Sequence, residues 1–470
     1  MAQKHMDRLT SIDASFLTNE SSSSHMHVGA VMVFEGPPPD YTDFADHVRS
    51  RLQLVPRFRQ KLAVPPIETG RPFWVDDPNF NLEYHVRHAA LPEPGSEEQL
   101  RNLAGRLFSQ QLDRSKPLWE IWLVQGLERN RFALITKTHH ALVDGVSGVD
   151  IATVLFDVKP VPEPIRDDDG WVPAPEPSPA LLAARGIEGA AAIPVKAARR
   201  LRNALSHPGR TIDRVRHAAE AVGEVAWEFA DPAPKLPLNV EIGSHRRFVW
   251  MRAELEDFKR IKNALGGTVN DVVLTVVSGA LRSWLEERGI KTEGMELRAL
   301  VPVSIRAEDE HGQLGNRIAA MRGPLPVYVA DPVQRLQIVR EAMDDLKSSK
   351  QAVGAEVISR FNDFAPPTLL AQAARVNFST RLFNLIVTNV PGPQMPLYVL
   401  GRELQDVFPV AFLPKNHTLA IAIMSYNGGL DFGLLADYDS MEDVGFIAEA
   451  LESSLQELLD ASREPAASRA

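Results

Sequence analysis

The chain of 470 residues contains no cysteine. That excludes a disulfide framework, a thiolate nucleophile, cysteine-ligated zinc and iron–sulfur clusters, so any nucleophile or base must be another residue type. Long apolar runs are missing too. The longest uncharged stretch, Leu382 to Gly401, would span ~30 Å by length but holds Pro391, Pro393 and Pro396, which argues against a membrane-crossing helix. Near the N-terminus, Asp7 and Arg8 interrupt any apolar core of signal-peptide type, and a cytoplasmic location is the expectation. Positive charge is in deficit, 51 Lys and Arg against 61 Asp and Glu, and a net charge of −10 repels a nucleic-acid backbone. No G-x-S-x-G elbow, Walker loop or G-x-G-x-x-G is present, which removes the usual support for hydrolase, kinase and nicotinamide chemistry.

What is present suits a folded α/β protein of two or three domains. His27 to Phe34 alternates as a strand, Tyr41 to Val55 has helical spacing, and Leu118 to Gln125 with Phe132 to Thr138 reads as a hairpin turning near Arg129-Asn130. Seven prolines lie between Pro160 and Pro179, and an Ala-rich helical pattern follows to Phe229. Beyond the break at Asp231 to Pro237, a helix is predicted over Val269 to Leu285. Strands are predicted at Leu297 to Ile305, Phe383 to Val390, Leu419 to Tyr426 and Leu430 to Ala436, the last two joined by Asn427-Gly428-Gly429. The expected division is an N-terminal lobe at 1–160, a Pro-rich linker and basic helical connector at 161–237, a C-terminal lobe at 238–460 and a flexible tail at 461–470.

The segment most informative about chemistry is His139-His140-Ala141-Leu142-Val143-Asp144-Gly145, which follows a strand. Adjacent strand residues point to opposite faces, so one histidine at most faces a given cavity. A neutral imidazole there can take a proton from an alcohol attacking a thioester, the general-base form of acyl transfer. His140 and Asp144 also have the four-residue spacing of helical metal ligands, but a third ligand is missing nearby and Gly145 argues against one continuous helix. A purely structural pair of core histidines is the remaining alternative.

The run matches HHxxxDG, and the chain resembles the bacterial wax ester synthase/diacylglycerol acyltransferase family of the acyl-CoA-dependent acyltransferase superfamily. Leu9 to Phe16, Pro117-Leu118-Trp119, the HHxxxDG run, Asn270-Asp271 and Asn389-Val390-Pro391-Gly392-Pro393 carry the resemblance, in that order. It implies two chloramphenicol-acetyltransferase-like α/β lobes facing across a central tunnel. It further implies transfer of a fatty acyl group from acyl-CoA to a long-chain alcohol or diacylglycerol, giving wax ester or triacylglycerol. His140 carries over as the general base and His139 as a structural neighbour. Asp144 beside Gly145 carries over as a loop-shaping carboxylate whose partner is Arg306, for which a solvated arginine at a strand end is the alternative. No metal or other cofactor is implied, acyl-CoA being a substrate.

Thr268 to Asp271 fits a capping box, and Asn270 beside that helix N-terminus is a candidate oxyanion donor. Pro117-Leu118-Trp119 reads as an edge that buries an indole, Asn389 to Pro393 as an abrupt strand end, and His25 and His27 as surface or packing residues rather than metal ligands. From Pro194 to His217 there are seven Lys or Arg against one acid, either a solvated helix face or a contact with anionic lipid at a membrane or lipid inclusion. Two other functions stay open at this point: an acyltransferase of the same superfamily with a polyketide-type diol acceptor or a carrier-protein donor, and a non-catalytic coat protein of lipid inclusions.

Overall fold

Alternating apolar residues build the first half of the chain into strands with a shared buried face. Along it run β1 (Met6–Arg8), α1 (Ser11–Asn19), β2 (His27–Glu35), α2 (Tyr41–Arg51), β3 (Gln60–Ala63), β4 (Phe73–Asp76), α3 (Leu82–His85), β5 (Val86–Ala90), α4 (Glu97–Phe108), β6 (Trp119–Leu127) and β7 (Arg131–His139). The second half contributes β8 (Arg246–Glu254), α5 (Leu255–Leu265), α6 (Val269–Glu287), β9 (Leu297–Ser304), β10 (Ile318–Leu325) and α7 (Pro332–Ser348). It closes with β11 (Leu385–Pro391), β12 (Tyr398–Val399), β13 (Arg402–Val410), β14 (Leu419–Tyr426), β15 (Gly429–Asp437) and α8 (Val444–Arg463). The computed structural model describes residues 6–66, 70–142, 155–161, 170–187, 232–304, 318–348 and 378–463.

Both expected hairpins form where turn chemistry permits. β6 and β7 are antiparallel around Arg129 (φ 62°) and Asn130 (φ 53°). In the other, Asn427 (φ 43°) and Gly428 (φ 93°) join β14 to β15 with Tyr426 opposite Gly429, the positive-φ pair that suits a two-residue hairpin loop. At the start of α6 the capping box is closed: Asp271 N–H donates to Thr268 Oγ1 at 3.2 Å and Thr268 N–H to Asp271 Oδ2 at 2.8 Å. Helices α5, α6, α7 and α8 cover one face of a six-stranded sheet ordered β10-β9-β11-β14-β15-β8, and their contact is the apolar core of the second lobe.

The other six-stranded sheet is ordered β12-β13-β2-β7-β6-β5, and here the division by sequence needs correction. A boundary at 238 assigns Tyr398 to Val410 to the second lobe, yet β13 pairs antiparallel with β2, from Leu404 opposite Phe34 to Val410 opposite Gly29. Local hydropathy shows that a segment is a strand, not which edge it will join. The crossing brings backbones close: a Cβ at Gly433 of β15 would stand 1.9 Å from the Pro409 carbonyl oxygen of β13. At the same seam, a Cβ on Gly105 of α4 would lie 2.7 Å from the Arg246 carbonyl oxygen at the start of β8. Phe108, Phe248, Trp250, Phe408 and Leu435 form one cluster across it, with Trp250 stacked on Phe408 at 4.5 Å. The lobes thus share a core, and the candidate site lies along this shared region.

Candidate active site

His139 is the last residue of β7 and His140 the first beyond it. The His140 N–H donates to the Met26 carbonyl at 2.9 Å, which ties the strand end to the turn before β2. Its ring stacks on Phe16, centroids 3.9 Å apart and planes at 23°, and meets the edge of Phe412 at 5.5 Å. Phe378 closes the group, 6.2 Å from Phe16 and 5.8 Å from Phe412. The His140 Nδ1 is buried with no hydrogen-bond partner among the described residues. Burial pushes the imidazole down to about 4. At neutral pH the ring is therefore uncharged and keeps a lone pair, the state a general base needs.

His139 is wholly buried and is held differently. The Ala141 N–H donates to its Nδ1 at 3.0 Å, so a neutral ring carries its proton on Nε2, which lies 3.6 Å from Glu20 Oε2. His27, opposite His139 in the β2–β7 register, stands with Nε2 3.7 Å from Glu20 Oε1. Arg114 Nε donates to Glu20 at 2.5 Å. Burial would raise the Glu20 carboxyl, but the His139 and His27 rings with Arg114 outweigh it and hold the group well below the usual carboxylate range. Burial pushes His27 down to about 3 against the pull of Glu20.

One short helix supplies both contacts. Thr10 caps α1 by accepting from the Asp13 N–H at 3.1 Å, and Glu20 ends the helix with its N–H donating to the Phe16 carbonyl at 3.0 Å. Phe16 and Glu20, four residues apart, thereby address His140 and His139 respectively.

A cleft of about 510 Å³ adjoins this group, lined among others by Glu20, Ser21, Met26, Phe378, Lys415 and Asn416. It lies between the turn before β2 and the segments leading into β11 and β14, at the seam of the lobes. Two residues before His139, Lys137 is buried with Nζ 3.2 Å from Glu120 and donates to the Leu107 and Gln110 carbonyls at 3.1 Å each. That ammonium completes the C-terminal end of α4, where cations are favoured.

Asn270 and Asp271 stand at the start of α6, and among the described residues no hydrogen bond or ring contact joins them to the histidines. Asp271 closes the capping box already noted. Asp144, Gly145, Arg306 and the basic run Lys196 to Arg216 lie outside the described residues. Trp119 is buried between Phe58 and His85 and donates from Nε1 to the Phe58 carbonyl at 2.8 Å, as expected of a packed indole. β11 ends at Pro391, and the Gly392 N–H turns to Ser425 Oγ at 3.3 Å. His25 and His27 are both buried, so the surface alternative for them is set aside. No group of three or more metal-ligating side chains is found among the described residues.

The wax ester synthase/diacylglycerol acyltransferase catalytic domain matches residues 9–273, and the WS/DGAT C-terminal domain matches residues 314–459. The chain belongs to this family. It is an O-acyltransferase of the WS/DGAT type, similar to the Mycobacterium tuberculosis protein named probable diacylglycerol O-acyltransferase tgs1, with 33% identity over 463 residues and 97% of each chain covered. It is also similar to the solved wax ester synthase/diacylglycerol acyltransferase from Marinobacter aquaeolei VT8, at 28% identity and a TM-score of 0.66, covering 97% of this chain and 99% of that one. The trichothecene 15-O-acetyltransferase from Fusarium sporotrichioides shares the fold, with a TM-score of 0.62 at 10% identity over 98% of this chain and 95% of its own.

Within this WS/DGAT chain, sequence reasoning placed the two histidines but missed Phe16, Glu20, Arg114, Phe378 and Phe412. Phe16 ends the Leu9 to Phe16 motif and so carried a signal without a role. Phe378, Phe412 and Arg114 carried none, because their place at the site depends on segments 90 or more residues away in the chain.

Proposed function

We propose that the chain moves a fatty acyl group from acyl-CoA to the hydroxyl of a diacylglycerol or a long-chain alcohol, giving triacylglycerol or wax ester and free coenzyme A. Family membership supports the reaction class, and the names of the relatives support these two acceptors. One observation carries the mechanism: the neutral, desolvated His140 ring at the end of β7, walled by Phe16, Phe378 and Phe412. The ring takes the proton of the acceptor hydroxyl as its oxygen attacks the thioester carbonyl carbon. When the tetrahedral intermediate collapses, the carbon–sulfur bond breaks and the imidazolium returns that proton to the departing thiolate. No acyl-enzyme forms, and no metal or other cofactor takes part. The apolar wall keeps water, a competing acceptor, away from the thioester.

The test is purified protein with palmitoyl-CoA and either dioleoylglycerol or hexadecanol. Products are separated by thin-layer chromatography, and coenzyme A is followed by a thiol reagent against a protein with no cysteine of its own. Triacylglycerol or wax ester should form at a rate unchanged by a strong chelator. Coenzyme A release that does not depend on either acceptor would overturn the reading, and activity lost to chelator would restore a metal role. We further propose that the protein meets these substrates from the cytoplasmic side at an anionic lipid surface, through the basic run Lys196 to Arg216. Sedimentation with phosphatidylglycerol vesicles at low salt and release at high salt is the expected result, and Arg199→Glu, Arg200→Glu and Arg202→Glu together should weaken it without harming turnover of short, soluble alcohols.

A further inference from the structure

Nothing in acyl transfer by His140 requires a buried carboxylate behind its neighbour, yet the Glu20 side chain is only 3% exposed there. Resting on the reading of His140 as base, we propose that Glu20 is a positioning residue for the transfer: it fixes the tautomer of His139 and thereby the turn that presents His140.

The Ala141 N–H donates to His139 Nδ1, which therefore has to be the ring's bare nitrogen. The neutral ring then holds its proton on Nε2, and the group facing Nε2 is the Glu20 carboxylate. Were that carboxylate, 3.6 Å from Nε2, absent, the Nδ1–H tautomer would become accessible, and it would set one N–H against another at Ala141. The same turn is closed by the Leu142 N–H donating to the His139 carbonyl at 2.9 Å. His140 sits inside it, with its own N–H on Met26. Losing the Ala141 contact frees one side of the main chain that aims the base.

The carboxylate is itself held. Arg114 donates to it from Nε and to the Leu17 carbonyl from Nη2 at 2.7 Å, fastening it to the end of α1. Titratable groups face this centre from each neighbouring element: Glu20 after α1, His25 and His27 at the entry to β2, Lys137 on β7, Arg114 before β6, and His140. Among them Glu20 is the only carboxylate in contact with His139 among the described residues.

The experiment compares Glu20→Ala, Glu20→Gln and His140→Ala in the full chain, reading kcat and KM separately with palmitoyl-CoA and dioleoylglycerol. Glu20→Ala should lower kcat ~10- to 100-fold, the cost typical of a small misplacement of a reacting group, with KM within about twofold. Glu20→Gln keeps an oxygen that accepts from Nε2–H and should recover kcat to within a few-fold of wild type. If His140→Ala loses turnover while Glu20→Ala keeps the wild-type kcat, the base reading stands and this inference fails. If His140→Ala keeps most turnover, the base reading itself fails. Should Glu20→Ala not fold, nitrogen-15 spectra of the histidine rings in the wild-type protein decide: His139, assigned by loss of its signals in His139→Asn, should show Nε2–H, and the Nδ1–H tautomer would overturn the proposal.

Discussion

β7 and β14 are both interior strands of six-stranded sheets, and almost all of each is buried, yet they are made of different material. β14 alternates Leu419, Ile421 and Ile423 into the helix-covered core with Ala420 and Ala422 into the shared core, and only its end turns polar. β7 begins the same way and then places Thr136, Lys137, Thr138 and His139 in the interior. Most of these polar groups have a specific partner: Thr136 Oγ1 accepts from the Ala30 N–H at 3.1 Å, Lys137 meets Glu120 and two carbonyls, and His139 Nδ1 accepts from the Ala141 N–H at 3.0 Å, with Glu20 3.6 Å from its Nε2. A strand can carry buried polar groups only where the surroundings complete their hydrogen bonds. Here one lobe supplies the strand end that carries the proposed base, while Phe378, Phe412 and Asn416 of the other half supply wall.

The sharpest way to break that contrast is to remove the proposed base. His140→Ala should cut kcat by ~10²–10⁴-fold, the usual loss for a positioned general base, while the unfolding temperature stays close to wild type. The ring is stacked rather than hydrogen-bonded through its side chain among the described residues, so its removal costs packing but strands no partner. Most activity surviving in a well-folded variant would mean that the strand end is not the reactive element.

The converse substitution belongs in β14. Ile421→Ala leaves a cavity between the second sheet and its helices and should destabilise the protein by ~2–5 kcal/mol in denaturant titration. Its kcat per folded molecule should stay within about twofold of wild type. A large fall in kcat without loss of stability would show that β14 takes part in the chemistry, and the comparison would collapse.

What the sequence revealed follows the range of the interactions involved. Hairpins and helices whose determinants lie within a few residues were legible: Asn427-Gly428 set one turn, and Thr268 with Asp271 set the start of α6. His139 and His140 were legible because their motif is contiguous. The place of β13 in the first sheet was not, since pairing Val407 with Met32 joins residues nearly the whole chain apart. Glu20 escaped for the same reason. In sequence it follows an asparagine and precedes four serines, like any solvated acid, and only the fold puts His27, His139 and Arg114 around it.

The smallest effect expected lies where the two sheets cross, and it tests whether the second lobe tolerates buried charge. Asp431 of β15 is buried and accepts from the Val407 N–H of β13 at 3.0 Å. Burial pushes its carboxyl up to about 7, with Asp406 and Glu254 adding to the rise and the Val407 N–H and Arg252 opposing it. Below the ordinary carboxyl range both folded and unfolded chains hold this proton, and the group leaves stability unaffected. Between about pH 4 and pH 7 the unfolded chain releases it and the folded chain keeps it, so stability falls as pH rises through that window. Above it the whole cost is in place. At ~1.36 kcal/mol per pH unit the ceiling is ~4 kcal/mol, and entry of water around the ionised group should reduce it to ~1–3 kcal/mol. Asp431→Asn, whose amide oxygen can still accept from Val407, should therefore match wild type in unfolding free energy at pH 4 and exceed it by that amount at pH 8. Equal stabilities at both pH values would mean that the second lobe solvates this carboxylate as readily as water does.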